Sequence, residues 1–143
     1  MIESCDTNIL LYYLNKSCSE HEAAKAYLSE RFSSDNFAIC ELVLVELYVL
    51  LRNPAVFIKP SSGAKAWEIV NSFRQNPSWR VVDHPGNTMD AVWAQAKKKN
   101  FPRRAIFDSR LAHCLLHHGV SSFATRNHKD FKDYPKLGAF SPI

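Results

Sequence analysis

The sequence predicts an α/β domain built on a short parallel sheet with helices on both faces, and three observations predict it. Short apolar stretches, Ile2–Cys5, Phe37–Cys40, Trp79–Val82 and Ser121–Ala124, alternate with longer segments of helical periodicity. There is no internal repeat, low-complexity tract or dividing linker. A chain of 143 residues with 46% hydrophobic residues is enough for one well-buried core and leaves little room for a second, so residues 1–143 are expected to form a single domain.

The elements follow in order. Ile2–Cys5 reads as a strand that runs into a helix through Ile9, Leu10, Leu11, Tyr12, Tyr13 and Leu14. Thr7 or Asn8 is the expected helix cap, which leaves Asp6 at the carboxyl end of the strand, where open α/β sheets place their chemistry. Ala23, Ala24, Tyr27, Leu28 and Phe32 fall at helical spacings and predict a helix from about Ser19 to Phe32. Phe37–Cys40 is the next strand, followed by a strongly apolar helix from Glu41 to about Arg52, which stops before Asn53-Pro54. Ala64, Trp67, Ile69, Val70 and Phe73 predict a helix after the Pro60–Gly63 turn, and Trp79–Val82 another strand. A helix is expected over Asn87–Asn100 with Lys97, Lys98 and Lys99 near its end, and a last one from Asp108 to His118 with Gly119 as its cap. Beyond the Ser121–Ala124 strand, the tail from Thr125 reads as loop with one turn of helix.

Composition excludes several classes of function. No apolar run reaches the ~20 residues of a membrane span, and the opening Met1-Ile2-Glu3-Ser4-Cys5-Asp6 lacks the basic start of a secretory signal, so a cytoplasmic protein is expected. Cys5, Cys18, Cys40 and Cys114 show no Cys-x-x-Cys spacing and read as small buried thiols. The four glycines lie too far apart for a nucleotide fingerprint, and no Gly-x-Ser-x-Gly elbow is present. His113/His117 and Cys114/His118 have a helical spacing compatible with zinc, but nothing nearby completes such a site. A formal charge of +4 tolerates a polyanionic partner without requiring one.

The remaining chemistry lies in carboxylates set against apolar segments. Asp6 follows the first strand, Glu46 interrupts Leu42–Val45 and Leu47–Leu50, and Asp108 follows Ala105-Ile106-Phe107. Glu46 has no Lys or Arg three or four residues away, so an ionised carboxylate in that apolar helix needs a partner from elsewhere. Glu41, five residues earlier at about 100° per residue, is turned roughly 140° away and is explained as a favourable charge at the helix start. Asp6 and Asp108 taken singly are ordinary helix caps. Together with Glu46 at one sheet edge they form a set whose repulsion a hard cation would relieve.

These residues, with Asp6-Thr7-Asn8, Leu44-Val45-Glu46-Leu47, Arg52-Asn53-Pro54, Asp108-Ser109-Arg110-Leu111-Ala112 and Thr125–Phe131, resemble the PIN-domain ribonucleases, and most of all the VapC-type toxins of toxin–antitoxin pairs. The resemblance spans nearly the whole chain. It implies a PIN-like three-layer α/β/α sandwich around a mostly parallel sheet of four or five strands. It also implies an endoribonuclease that hydrolyses RNA with a water activated by Mg²⁺, or by Mn²⁺ in its place. Asp6, Glu46 and Asp108 match the family's acidic positions. At the fourth position Asn127 stands where many relatives carry aspartate, with Asp130 three residues on as an alternative source of charge. Thr125 matches the residue that orients a ligand or the water, and Arg110 and Arg126 are the expected substrate contacts. Lys97–Lys99, Arg103 and Arg104 add a possible phosphate-tracking surface. The implied partners are RNA, a VapB-like antitoxin and a second copy of the chain, with Tyr12, Tyr13, Phe57 and Trp67 as interface candidates. Asn127 in place of aspartate also leaves open a PIN-like module that binds RNA or protein without cutting.

Overall fold

The computed structural model describes all residues from Met1 to Ile143. Its elements in order are β1 (Ile2–Cys5), α1 (Thr7–Leu14), α2 (His21–Ser29), β2 (Ala38–Cys40), α3 (Glu41–Leu51), α4 (Gly63–Arg74), β3 (Arg80–Val82), α5 (Thr88–Ala96), α6 (Ala105–His117), β4 (Val120–Ala124) and β5 (Ala139–Phe140). Two short 3₁₀ turns, His128–Phe131 and Pro135–Leu137, lie between β4 and β5.

All strand pairings are parallel, as a chain that returns through helices requires. The strands form two small sheets, β1-β4-β5 and β2-β3, in place of one continuous sheet. The two meet at a single parallel bridge, Glu3 to Phe37, where the Glu3 N–H donates to the Asn36 carbonyl at 2.8 Å. On the other side of β1 the register with β4 shifts between Ile2 and Glu3, whose partners are Val120 and Ser122, so β4 carries one extra residue there. Read across both sheets, the strand order is β3-β2-β1-β4-β5. The chain moves to one side of β1 for β2 and β3, then crosses to the other for β4. The crevice between the carboxyl ends of β1 and β4 is therefore a topological switch point, where open α/β folds bind ligands.

The helices form two groups. In the first, α1 packs on α2 and α3, and α3 on α4. In the second, α5 packs on α6, and α6 rests on β2 and β4. Between them the buried side chains Ile9, Leu10, Leu28, Phe37, Ile39, Leu44, Leu47, Leu115, Phe123 and Leu137 make one core. Cys5, Cys40 and Cys114 are buried in it as free thiols, and Cys18 is half-buried. Tyr13, Phe32, Phe73 and Trp79 form an aromatic cluster at one end, with centroid separations from 5.3 to 6.5 Å.

Several element ends differ from expectation. Asp6 itself caps α1, its carboxylate accepting from the Thr7 N–H, so Thr7 and Asn8 are helical. The second helix closes at Ser29, and Arg31–Ser34 continue as tight turns that still bring Phe32 to the aromatic cluster. The fifth helix ends at Ala96 rather than Asn100, leaving the lysine run in the turns beyond it, and Asn100 takes a positive φ of 70°. The last helix starts one turn early at Ala105, so Asp108 lies within its first turn and caps nothing. The tail carries a strand that the sequence does not announce, since β5 is only Ala139–Phe140. Gly138 makes it possible: with φ at +63°, a Cβ there would lie 2.2 Å from the Ser121 carbonyl oxygen.

Candidate active site

Three elements deliver acidic side chains to the switch point. Asp6 leaves the end of β1, and its backbone N–H extends the pairing with β4 by donating to the Ala124 carbonyl at 2.8 Å. Thr125 leaves the end of β4; its N–H donates to the Phe140 carbonyl at 2.9 Å, and its hydroxyl donates to Asp6 Oδ2 at 2.7 Å. The same hydroxyl oxygen accepts the Asn127 N–H at 3.1 Å, which orders the turn after β4. Asp6 is thus held from both sides, by Thr125 on one oxygen and by the Thr7 N–H at 2.8 Å on the other.

Glu46 enters from α3. Its Oε2 accepts from the Thr7 hydroxyl at 2.9 Å, while that hydroxyl also lies 3.2 Å from the Val43 carbonyl. Buried Thr7 therefore joins α1 to α3 and sets the Glu46 rotamer, a role that its sequence context as a cap did not reveal. Glu41 of the same helix is turned away and forms an ion pair with Arg74 of α4 at 2.6 Å. Of the two carboxylates in α3, only Glu46 faces the site and lacks a cation.

Asp108 completes the cluster from the first turn of α6. Burial and repulsion from Asp6, Asp130 and Glu46 push its carboxyl up to about 6. Burial also raises Asp6, against the lowering effect of its Thr125 and Thr7 hydrogen bonds, and Asp130 adds repulsion. Glu46 is raised by burial, eased by the Thr7 hydroxyl, and raised further by Asp6. None of Asp6, Glu46, Asp108 or Asp130 forms a salt bridge; the cations that pair do so with Glu3, Glu30, Glu41 and Glu68. These carboxylates, without a positive partner, leave negative charge that a divalent cation would offset.

The donor set also bears on the kind of ion. No three His, Cys, Asp or Glu side chains stand close enough together to hold a metal ion by themselves. A structural zinc needs such a set of side chains, whereas Mg²⁺ keeps several waters and is held through one or two carboxylates and substrate phosphates. The helical histidines are engaged elsewhere: His113 Nε2 meets Gln95 Oε1 at 3.1 Å and His118 Nε2 meets the Asp83 carbonyl at 2.9 Å. Cys114 lies 3.5 Å, sulfur to sulfur, from Cys40.

Beside the cluster opens a groove of about 840 Å³, whose charged lining is Asp108, Asp130 and Asp133 with Lys98, Arg104, Lys129 and Lys132. Lys98 and Arg104 belong to the basic stretch singled out in the sequence, whereas Lys129 and Lys132 carried no signal beyond their charge. Asp130 lines this groove although it is exposed, and Asn127 does not. The two expected arginines lie outside the groove lining. Arg110 is exposed and its guanidinium approaches His84 Nδ1 at 3.5 Å, while Arg126 is exposed with its backbone N–H on Asn8 Oδ1. Among the interface candidates, Tyr12, Tyr13 and Phe57 pack against the core and only Trp67 is well exposed, at 60%.

Comparison with known proteins agrees with this architecture. Residues 5–137 match the PIN domain family. Ribonuclease VapC24 of Mycobacterium tuberculosis is 46% identical over 140 residues, covering 98% of this chain and 96% of that protein. Among solved structures, a toxin–antitoxin complex from Klebsiella pneumoniae superposes with a TM-score of 0.63 at 20% identity, over 99% of this chain and 98% of that one. FitAB bound to an IR36 DNA fragment gives a TM-score of 0.65 at 17% identity, over 99% of this chain and 95% of that one. No helix is long and apolar enough to cross a membrane. The chain belongs to the PIN-domain family and, within it, to the VapC ribonucleases.

Proposed function

We propose that this protein is a metal-dependent endoribonuclease toxin of a toxin–antitoxin pair, with Asp6, Glu46, Asp108 and Asp130 holding Mg²⁺, or Mn²⁺ in its place. The observation that carries this reading is a cluster of unneutralised carboxylates at the switch point, opening onto a groove whose lysines and arginine also lack acidic partners. Bound there, a divalent cation supplies a Lewis acid for the phosphodiester and lowers the pKa of the attacking water. The chain's own residues do the positioning. Thr125 and the Thr7 N–H fix both oxygens of Asp6, and the Thr7 hydroxyl fixes Glu46, so the acidic edge is set before RNA arrives.

Asp130 is the better source of the fourth negative charge, because it lines the groove and repels both Asp6 and Asp108. Asn127 acts through its backbone, donating to Thr125 and shaping the turn. Arg110 and Arg126 reach RNA only beyond the groove, and the cations lining it take the phosphates nearest the cut. Exposed Val45, Val49 and Trp67 on the first helix group, and Trp93 and Phe107 on the second, support two protein interfaces, one for a VapB-like antitoxin and one for a second copy of the chain.

Calorimetric titration of Mg²⁺ into wild type and Asp6→Asn, with RNA, single-stranded DNA and duplex substrates tested alongside, checks the proposal. Metal uptake that depends on Asp6, together with cutting confined to RNA, is the expected result. Uptake indifferent to Asp6 would move the protein to the binding-module reading.

A further inference from the structure

Gln95 is an unadvertised polar residue near the end of α5, yet three side chains converge on its amide oxygen. Oε1 lies 2.5 Å from the Ser109 hydroxyl, 3.1 Å from His113 Nε2 and 3.0 Å from the Tyr134 hydroxyl. Two of these partners come from α6 and one from the segment between the two 3₁₀ turns, so the amide is locked to two other parts of the chain. Burial keeps His113 toward its neutral form, and an amide oxygen, which can only accept, selects the tautomer with the proton on Nε2. The amide nitrogen makes no hydrogen bond within the protein and is absent from the buried polar atoms that lack partners, so solvent reaches it.

Gln95 also lines the groove that holds Asp108 and Asp130. Its two N–H groups are therefore fixed donors beside the acidic cluster, held without the rotamer cost that a free glutamine pays on binding. The groove, at about 840 Å³, falls in the roughly 300–1,000 Å³ range of small-molecule sites and admits a splayed nucleotide. Phe101 and Tyr134 give it aromatic surface and Lys98, Arg104, Lys129 and Lys132 give it charge. Aromatic rings with unpaired cations are the usual means of holding an unstacked RNA base and its phosphates. Such contacts hold any nucleotide; a fixed amide donor tells bases apart.

We propose that Gln95 is a specificity-determining residue, its amide N–H groups reading an acceptor edge of the base seated in the groove while the surrounding cations grip the phosphates. This rests on the reading of the chain as an RNA-cutting enzyme. A phosphate oxygen is the other acceptor that the amide could meet, and it would weaken every sequence alike.

The test uses a random single-stranded RNA pool and two readouts, sequences bound in EDTA and cut sites in Mg²⁺. Wild type, Gln95→Glu and the Lys98→Ala/Lys132→Ala double variant are compared. Glutamate keeps oxygens that accept from Ser109, His113 and Tyr134 but removes the donors. The expected result is a base preference in wild type that changes by about tenfold or more in Gln95→Glu. The lysine variant weakens all sequences, lowering the salt slope by about 0.7 per lost phosphate contact, and leaves the preference unchanged. Identical preferences in wild type and Gln95→Glu, or a uniform loss across sequences, overturn the proposal. Should Gln95→Glu fail to fold, wild type is assayed with pools of base analogues that each lack one acceptor. At least one analogue then loses about tenfold in binding, and a scan in which none does overturns the proposal. Selective binding without cutting removes the nuclease reading and leaves Gln95 as a base reader; cutting without any effect of Gln95 does the reverse; no RNA binding removes both.

Discussion

Single side chains at this site are defined by what holds them and by the charge around them. Thr125 donates to Asp6 and accepts from Asn127, so Thr125→Val leaves Asp6 short of a donor and loosens the turn. RNA cleavage should fall about 10–100-fold in that variant and return to within a few-fold of wild type in Thr125→Ser, which keeps the hydroxyl. Asp108, pushed up to about 6, binds its proton more tightly folded than unfolded. A carboxyl raised in this way stabilises the fold below its unfolded value near 4 and loses that contribution as pH rises through about 6. Metal-free protein melted across pH 4 to 7 should show this loss, and Asp108→Asn should reduce it, with Asp6 and Glu46, raised in the same direction, supplying the remainder. At pH 7 the same substitution should raise the metal-free melting temperature by roughly 2–4 °C, the shift for about 1 kcal/mol of relieved repulsion at a half-exposed group. Asp6, Glu46 and Asp108 were legible in the sequence because a carboxylate bordering or interrupting an apolar run needs a reason. Gln95 and Thr7 were not, since an uncharged polar residue in a helix has many ordinary explanations and its partners lie 14 to 39 residues away.

Elements explain which of the possible residues reach the site. In α3, Glu41 and Glu46 lie on different faces, one paired with Arg74 and the other with Thr7. Glu41→Gln should leave the midpoint of chemical denaturation close to that of wild type and RNA cleavage unchanged, because an exposed ion pair contributes little, while Glu46→Gln should remove cleavage. The helix phase that separates them was readable from spacing alone. The end of β4 depends on a feature that was not. Gly138→Ala should destabilise the fold by about 2–5 kcal/mol, one to two from the left-handed backbone and one to three from displacing the Ser121 carbonyl. Loss of β5 would free the Phe140 carbonyl that holds the Thr125 N–H, so the damage would reach the active site. A two-residue strand leaves no periodicity to read, and the early start of α6 was hidden because Ala105-Ile106-Phe107 suits a strand as well as a helix.

The whole molecule places these parts by topology. Strand order β3-β2-β1-β4-β5 brings the ends of β1 and β4 together, and the chain between them supplies Glu46 from α3 and Asp108 from α6. The alternation of short apolar and longer amphipathic segments announced this class of fold, but not that the strands would divide into two sheets at Glu3 and Phe37. Net charge was equally silent: +4 over the chain conceals an acidic cluster that opens onto a groove bearing Lys98, Arg104, Lys129 and Lys132. On the proposed reading that juxtaposition suits a polyanion that must be drawn in and then cut, because the cations attract phosphates while the carboxylates would hold a divalent ion. Cleavage should accordingly weaken as monovalent salt rises. The account is tested most directly by cleavage of a mixed RNA pool by antitoxin-free protein in Mg²⁺, Mn²⁺ and EDTA, with Asp6→Ala and Glu46→Ala measured beside wild type. It predicts cutting in both metals, none in EDTA, and loss in both variants; a folded wild type that cuts equally well in EDTA, or variants that cut like wild type, would contradict it.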